Sequence, residues 1–154
     1  MHEDEQDASV RATAESIRDA VAEVTKAKHW TLEQLPEKLI WTTVVPGNAE
    51  TYRCYLQIDP ELGQLVFYGV LPFAVPPESR LEAAAAVAAI NYGLAVGKFE
   101  LDLTDGELRF STGIDVHGTR LDPIVLDTML TSAVEMLDAY TPKLRERIPL
   151  PSGI

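Results

Sequence analysis

The segment Phe99-Glu100-Leu101-Asp102-Leu103-Thr104-Asp105-Gly106-Glu107-Leu108-Arg109-Phe110 restricts the folds open to this chain more than any other. Apolar and polar residues alternate on both sides of Asp105-Gly106, so each arm has the period of a half-buried strand. An Asp-Gly pair supplies the positive φ angles that a two-residue type I′ hairpin turn demands. Centring the turn there predicts Leu103 opposite Leu108 and Leu101 opposite Phe110, with all four side chains on one face of a sheet. That face needs an apolar layer to cover it.

Helices supply the layer. From Ala8 to about Lys28, Val10, Ala14, Ile17, Val21 and Val24 recur at helical spacing, with Arg11, Glu15, Arg18, Asp19 and Glu23 off that face. Pro36 stops any helix that has continued so far. Lys38 to Val45, rich in β-branched and aromatic residues, reads as a strand ending at Pro46-Gly47-Asn48. Tyr52, Cys54, Leu56 and Ile58 alternate with Arg53, Tyr55, Gln57 and Asp59, giving a second strand. A third, Gln64 to Val70, reads as buried on both sides, and the three form an antiparallel meander. Pro77 suits the first turn of a second helix, Glu78 to Ala95, which Gly97 is placed to end in the left-handed conformation. Asp122-Pro123 opens a third helix with an N-cap oxygen and a first-turn proline, and Pro142 ends it. The expected order is helix-β-β-β-helix-β-β-helix. This is an α+β fold, a twisted antiparallel sheet with helices packed on it. Residues 1–7 are expected as a flexible acidic lead, 8–144 as one domain, and 145–154 as a poorly ordered, proline-containing tail.

Composition narrows the function. A chain of 154 residues fits one domain. With 24 acidic against 13 basic residues, the net charge of −11 repels phosphate backbones at long range. Direct nucleic-acid binding would need Lys143, Arg145 and Arg147 to gather with Arg11 and Arg18 on one surface. The apolar stretch Leu81 to Val96 is too short for a membrane span, mostly alanine, and interrupted by Glu82, Asn91 and Tyr92. The acidic start lacks the pattern of a secretory signal, and Cys54 has no partner within the chain, so a half-buried thiol in the reducing cytoplasm is expected.

Chemistry finds little foothold. His2, His29 and His117 lie far apart, without the spacing of a metal site. No Gly-rich phosphate loop or Gly-x-Ser-x-Gly elbow occurs, so neither cofactor nor metal is expected. Asp115 and His117, between Gly113 and Gly118, are the one candidate pair for a small enzyme, with no nucleophile beside them.

The second helix is hard to accommodate in a monomer. Ala83 to Ile90 contains no polar residue, so its apolar surface goes all the way round and calls for burial on more than one side. Helix one or three could cover the side facing away from the sheet. Alternatively, Ala84, Ala85, Ala88 and Ala89 let the same helix of a second copy approach across a two-fold axis, and this is the favoured reading.

The order of elements then becomes familiar. Ile90-Asn91-Tyr92-Gly93-Leu94-Ala95-Val96-Gly97-Lys98-Phe99-Glu100-Leu101-Asp102, followed by Asp105-Gly106-Glu107-Leu108-Arg109-Phe110, resembles the central signature of the YbjN family of bacterial proteins. The resemblance extends over Ala8 to Leu144, in pattern alone for the first helix and strand. It implies a type III secretion chaperone-like fold, commonly dimeric, that binds client proteins without hydrolysing anything. Family members carry the label of sensory transduction regulators, a name with little mechanism behind it.

The expected function is therefore that of a cytoplasmic, homodimeric chaperone or adaptor. Its client is expected to be a basic protein, a nucleic-acid-binding one being a plausible case, because acidic surface steers basic segments. Tyr55, Tyr68 and Phe73 are either client contacts or core.

Overall fold

Alternation in β3 (Thr51–Asp59) sends Tyr52, Cys54, Leu56 and Ile58 into the core and leaves Arg53, Tyr55 and Gln57 on the other face. The same division runs across the sheet of the computed structural model, which describes residues 2–149. β1 (Glu33–Gln34), β2 (Ile40–Pro46), β4 (Gln64–Ala74), β5 (Lys98–Leu101) and β6 (Glu107–Asp115) complete it, in the spatial order β1-β2-β3-β4-β6-β5 with every neighbour antiparallel. α1 (His2–Ala27), α2 (Arg80–Tyr92) and α3 (Pro123–Arg147) share one face of the sheet. The fold is α+β.

Helix α3 lies over the middle of the sheet through Leu126, Leu130, Leu137 and Leu144, all fully buried. A Cβ on Gly69 of β4 would stand 2.4 Å from Leu137 Cδ1, so the helix rests on bare backbone there. Helix α1 packs beside α3. The Ser16 hydroxyl accepts the Leu121 N–H at 2.7 Å, and Lys28 Nζ meets Asp127 at 3.0 Å. The Asp122 carboxylate accepts the Ile124 N–H at 2.9 Å, capping α3 as its sequence predicts.

The hairpin departs from its expected register by two residues. Leu101 pairs with Leu108 and Phe99 with Phe110, while Leu103 sits in the loop and is 56% exposed. Of the two turn residues only Gly106 has a positive φ, +80°, so the type I′ turn does not form. Instead the Asp102 carboxylate accepts both the N–H and hydroxyl of Thr104, and the Gly106 N–H reaches the Asp102 carbonyl. The Thr104 hydroxyl, then its N–H, hold the Asp102 carboxyl below its ordinary pKa. A shift of two keeps Phe99, Leu101, Leu108 and Phe110 on their expected face and loses only Leu103 from it.

Other boundaries move for local reasons. Residues 2–7 are not a separate lead but the first turns of α1. The two-residue β1 is additional to the expected strands. The outer side of β4 is half-buried, not fully covered, because no helix lies over it. Helix α2 ends at Tyr92, and Gly97 takes its φ of +78° at the start of β5, where a Cβ would meet Phe110 Cζ at 2.3 Å. Helix α3 passes through Pro142 to Arg147, anchored beyond the proline by buried Leu144 and Ile148. Residues 145–147 thus belong to a helix, and 150–154 lie outside the described residues. Cys54 is fully buried, and burial pushes its thiol up to about 12.

Candidate functional site

Helix α2 meets the sheet through Ala83, Ala86 and Val87, opposite β5. Its far side carries Leu81, Ala85, Ala88 and Tyr92 at helical spacing, all exposed, with Leu81 at 82% and Tyr92 at 96%. Ala89 beside them is exposed and Ala84 partly so. Neither α1 nor α3 lies over this stripe. Four alanines make it shallow, and two large apolar side chains stand at its ends.

The end of α2 is fixed by Asn91. Asn91 reaches across to β5, donating from Nδ2 to the Phe99 carbonyl at 2.9 Å and accepting the Phe99 N–H on Oδ1 at 2.8 Å. Arg80 ties down the start, donating to the Val75 carbonyl and to the carbonyls of Leu103 and Thr104 in the hairpin loop.

The second surface is the face of the sheet that no helix covers. Tyr55 of β3 pairs directly with Tyr68 of β4 on that face. The Arg109 guanidinium lies 4.0 Å above the Tyr68 ring and bonds Glu100 at 3.1 Å. Arg53 and Lys98 also point outward here, as do Glu100, Asp59 and Asp115, so this patch is aromatic with both signs of charge. Phe73 belongs elsewhere. Alternation continued along β4 from Phe67 and Leu71 puts it on the helix side, where Arg145 covers its ring at 4.8 Å.

The alternative sites of the sequence do not assemble. Asp115 accepts the backbone N–H of His117 at 2.9 Å, so their contact is a turn and not an imidazole–carboxylate pair. Ser16 packs at Leu121, whereas Arg145 and Arg147 close the other end of α3, about 30 Å away at helical rise. Arg11 and Arg18 therefore do not join Lys143, Arg145 and Arg147 on one surface, and Arg145 is engaged by Glu50. Among the described residues no cluster of His, Cys, Asp or Glu could hold a metal ion, and no helix is long and apolar enough to cross a membrane.

A six-stranded antiparallel sheet with helices on one face and a bare face opposite is a type III secretion chaperone-like fold. Solved structures agree. The type III secretion chaperone SycH of Yersinia pestis, in complex with a stable fragment of YscM2, superposes with a TM-score of 0.51 at 15% identity, over 79% of this chain and 96% of that one. The HopA1-SchA chaperone–effector complex gives 0.57 at 14% identity, over 82% and 94%. YbjN of E. coli gives 0.64 at 16% identity, over 86% and 95%. Residues 18–146 match the YbjN family model, described as "Putative bacterial sensory transduction regulator". The chain belongs to the YbjN family. No curated protein matches its sequence.

Proposed function

We propose that this protein is a non-enzymatic, cytoplasmic chaperone or adaptor that binds a client protein as a homodimer. The observation that carries the reading is the uncovered stripe Leu81, Ala85, Ala88 and Tyr92, an apolar face for which the protomer supplies no cover. Its self-complementary form suits a two-fold axis, with Ala84 and Ala89 allowing close approach. Structures of similar fold include two chaperones held in complexes with other proteins, which supports the client-binding half.

Charge selects the client. A net charge of −11 on each protomer steers basic or mixed amphipathic segments, a nucleic-acid-binding protein among them, while apolar contacts supply most of the affinity. Tyr55 and Tyr68 are the client contacts on the bare sheet face; Phe73 is not.

Gentle affinity purification from the native organism, followed by rate measurements on what co-elutes, tests this. Association should slow as salt rises, with a smaller change in dissociation. A salt-independent association rate removes the electrostatic part, and a monomer by light scattering removes the dimer.

A further inference from the structure

Strand β6 is longer than the neighbour that closes it. β5 ends at Lys98 opposite Ser111, so Thr112 to Asp115 pair with β4 alone. The Val116 N–H bonds the Gly63 carbonyl on the β4 side, and the Glu107 carbonyl accepts the Asp102 N–H on the β5 side. Because backbone groups alternate along a strand, Gly113 and Asp115 direct their N–H and C=O groups to the open side. Among the described residues nothing bonds those groups. The corresponding outward groups of Phe99 on β5 are taken by Asn91.

Hollows flank this open edge on both sides. Toward the helices lies an apolar cavity of about 660 Å³, walled by Leu94, Val96, Ile114, Val125, Met129 and Met136 and lined by no charged side chain. On the bare face lies a more polar one of about 420 Å³, beside Tyr68, Lys98, Glu100 and Ser111. Val96, Thr112 and Gly113 border both.

We infer that this edge receives an extended segment of a partner polypeptide as an added strand. An inference about where the client docks, it rests on the client-binding reading. An extended backbone presents donors and acceptors every second residue and sends side chains alternately to opposite faces, which matches an open edge between two hollows. The segment is apolar at the positions facing the large cavity and polar at those facing Tyr68 and Ser111. Lysine or arginine flanks it, since the host carries a charge of −11.

The probes are fluorescein-labelled peptides Lys-X-Thr-X-Thr-X-Lys, with X valine, leucine or phenylalanine, titrated into the full chain by anisotropy and by amide exchange. Binding should slow exchange at Gly113 and Asp115 by about tenfold or more, and N-methylating the peptide residues that face the edge should weaken it by a similar factor. Val125→Glu, at a partly exposed wall position, should weaken it likewise without unfolding the chain. The proposal fails if no peptide binds, if exchange slows only elsewhere, or if N-methylation has no effect. It fails equally if Gly113 and Asp115 are already protected in the free protein, which would place a second copy at the edge. Intact client association in Val125→Glu overturns the groove alone and leaves client binding standing.

Discussion

The side chain of Asn91 holds the backbone of Phe99 at both its N–H and its carbonyl, at 2.8 and 2.9 Å, as a neighbouring strand would. Phe99 is itself buried against Phe110 and Tyr140, edge to face. One side chain thus joins the end of α2 to the edge of the sheet. Asn91→Ala should cost about 2–3 kcal/mol by leaving two backbone groups without partners. Urea unfolding measures the loss, and amide exchange at Phe99 should accelerate. Unchanged exchange there would mean that another group takes over the edge.

Ala88 is exposed in the protomer, so arginine there has room and should leave the fold intact. Across a two-fold interface the same arginine is an unpaired charge removed from water, at a cost of several kcal/mol. Ala88→Arg should therefore yield a folded monomer by light scattering, with the melting of the protomer unchanged. A folded dimer would place the interface elsewhere.

Gly106 is constrained twice. Its φ is +80°, and a Cβ would stand 2.0 Å from the Val75 carbonyl oxygen, while its own carbonyl accepts the Val75 N–H at 2.8 Å. Gly106→Val should destabilise by about 3 kcal/mol or more, from backbone strain together with the forced shift of β4. Melting temperature reports it. Client binding well below that temperature should persist, because the turn is structural.

Alkali should find a weak point in β3. Burial, and then the hydrogen bond to Asp138, raise Tyr52 from 10.0 to about 12, and burial raises Cys54 from 9.0 to about 12. Both are neutral acids held more tightly protonated in the folded state. Their contribution is fully present below about pH 9 and is lost as pH rises toward 12. Urea unfolding across this range should show stability falling, and the pair Tyr52→Phe with Cys54→Ala should flatten that fall although it lowers stability at pH 8. An equal slope in the pair would assign the alkaline limb to other groups.

Alternation made β2, β3, β4 and β6 legible, and capping residues located the start of α3. What the sequence hid has identifiable physical causes. Asp102 and Asp105 both bond backbone N–H groups within the hairpin loop, and that competition moved the register while preserving its parity. Two residues of β1 are too few to show a period. Pro142 removes one donor from α3, but the buried side chains of Leu144 and Ile148 carry the chain past it. The expected third strand stopped at Val70, so the alternation that puts Phe73 with Phe67 and Leu71 on the helix side was not carried far enough to place it. For the site, the alanine run showed that α2 is apolar beyond its sheet-facing side, and the protomer leaves that outer stripe exposed. Asn91 was visible as a motif, yet its bond to Phe99 could not be read without knowing which strand α2 faces.

The two ends of the sheet bear on how these molecules behave in a crowd. β1 stops after two residues, with Glu33 and Gln34 both exposed, and Asn91 occupies the outer bonds of Phe99 in β5 at the opposite end. Edges this short and interrupted leave little length over which one molecule could extend the ladder of the next, which is how exposed strands polymerise into fibrils. The stretch from Thr112 to Asp115 is about 13 Å long at ordinary strand rise, too short to seed such growth. Sheet-to-sheet templating should therefore stay weak even at high protein concentration.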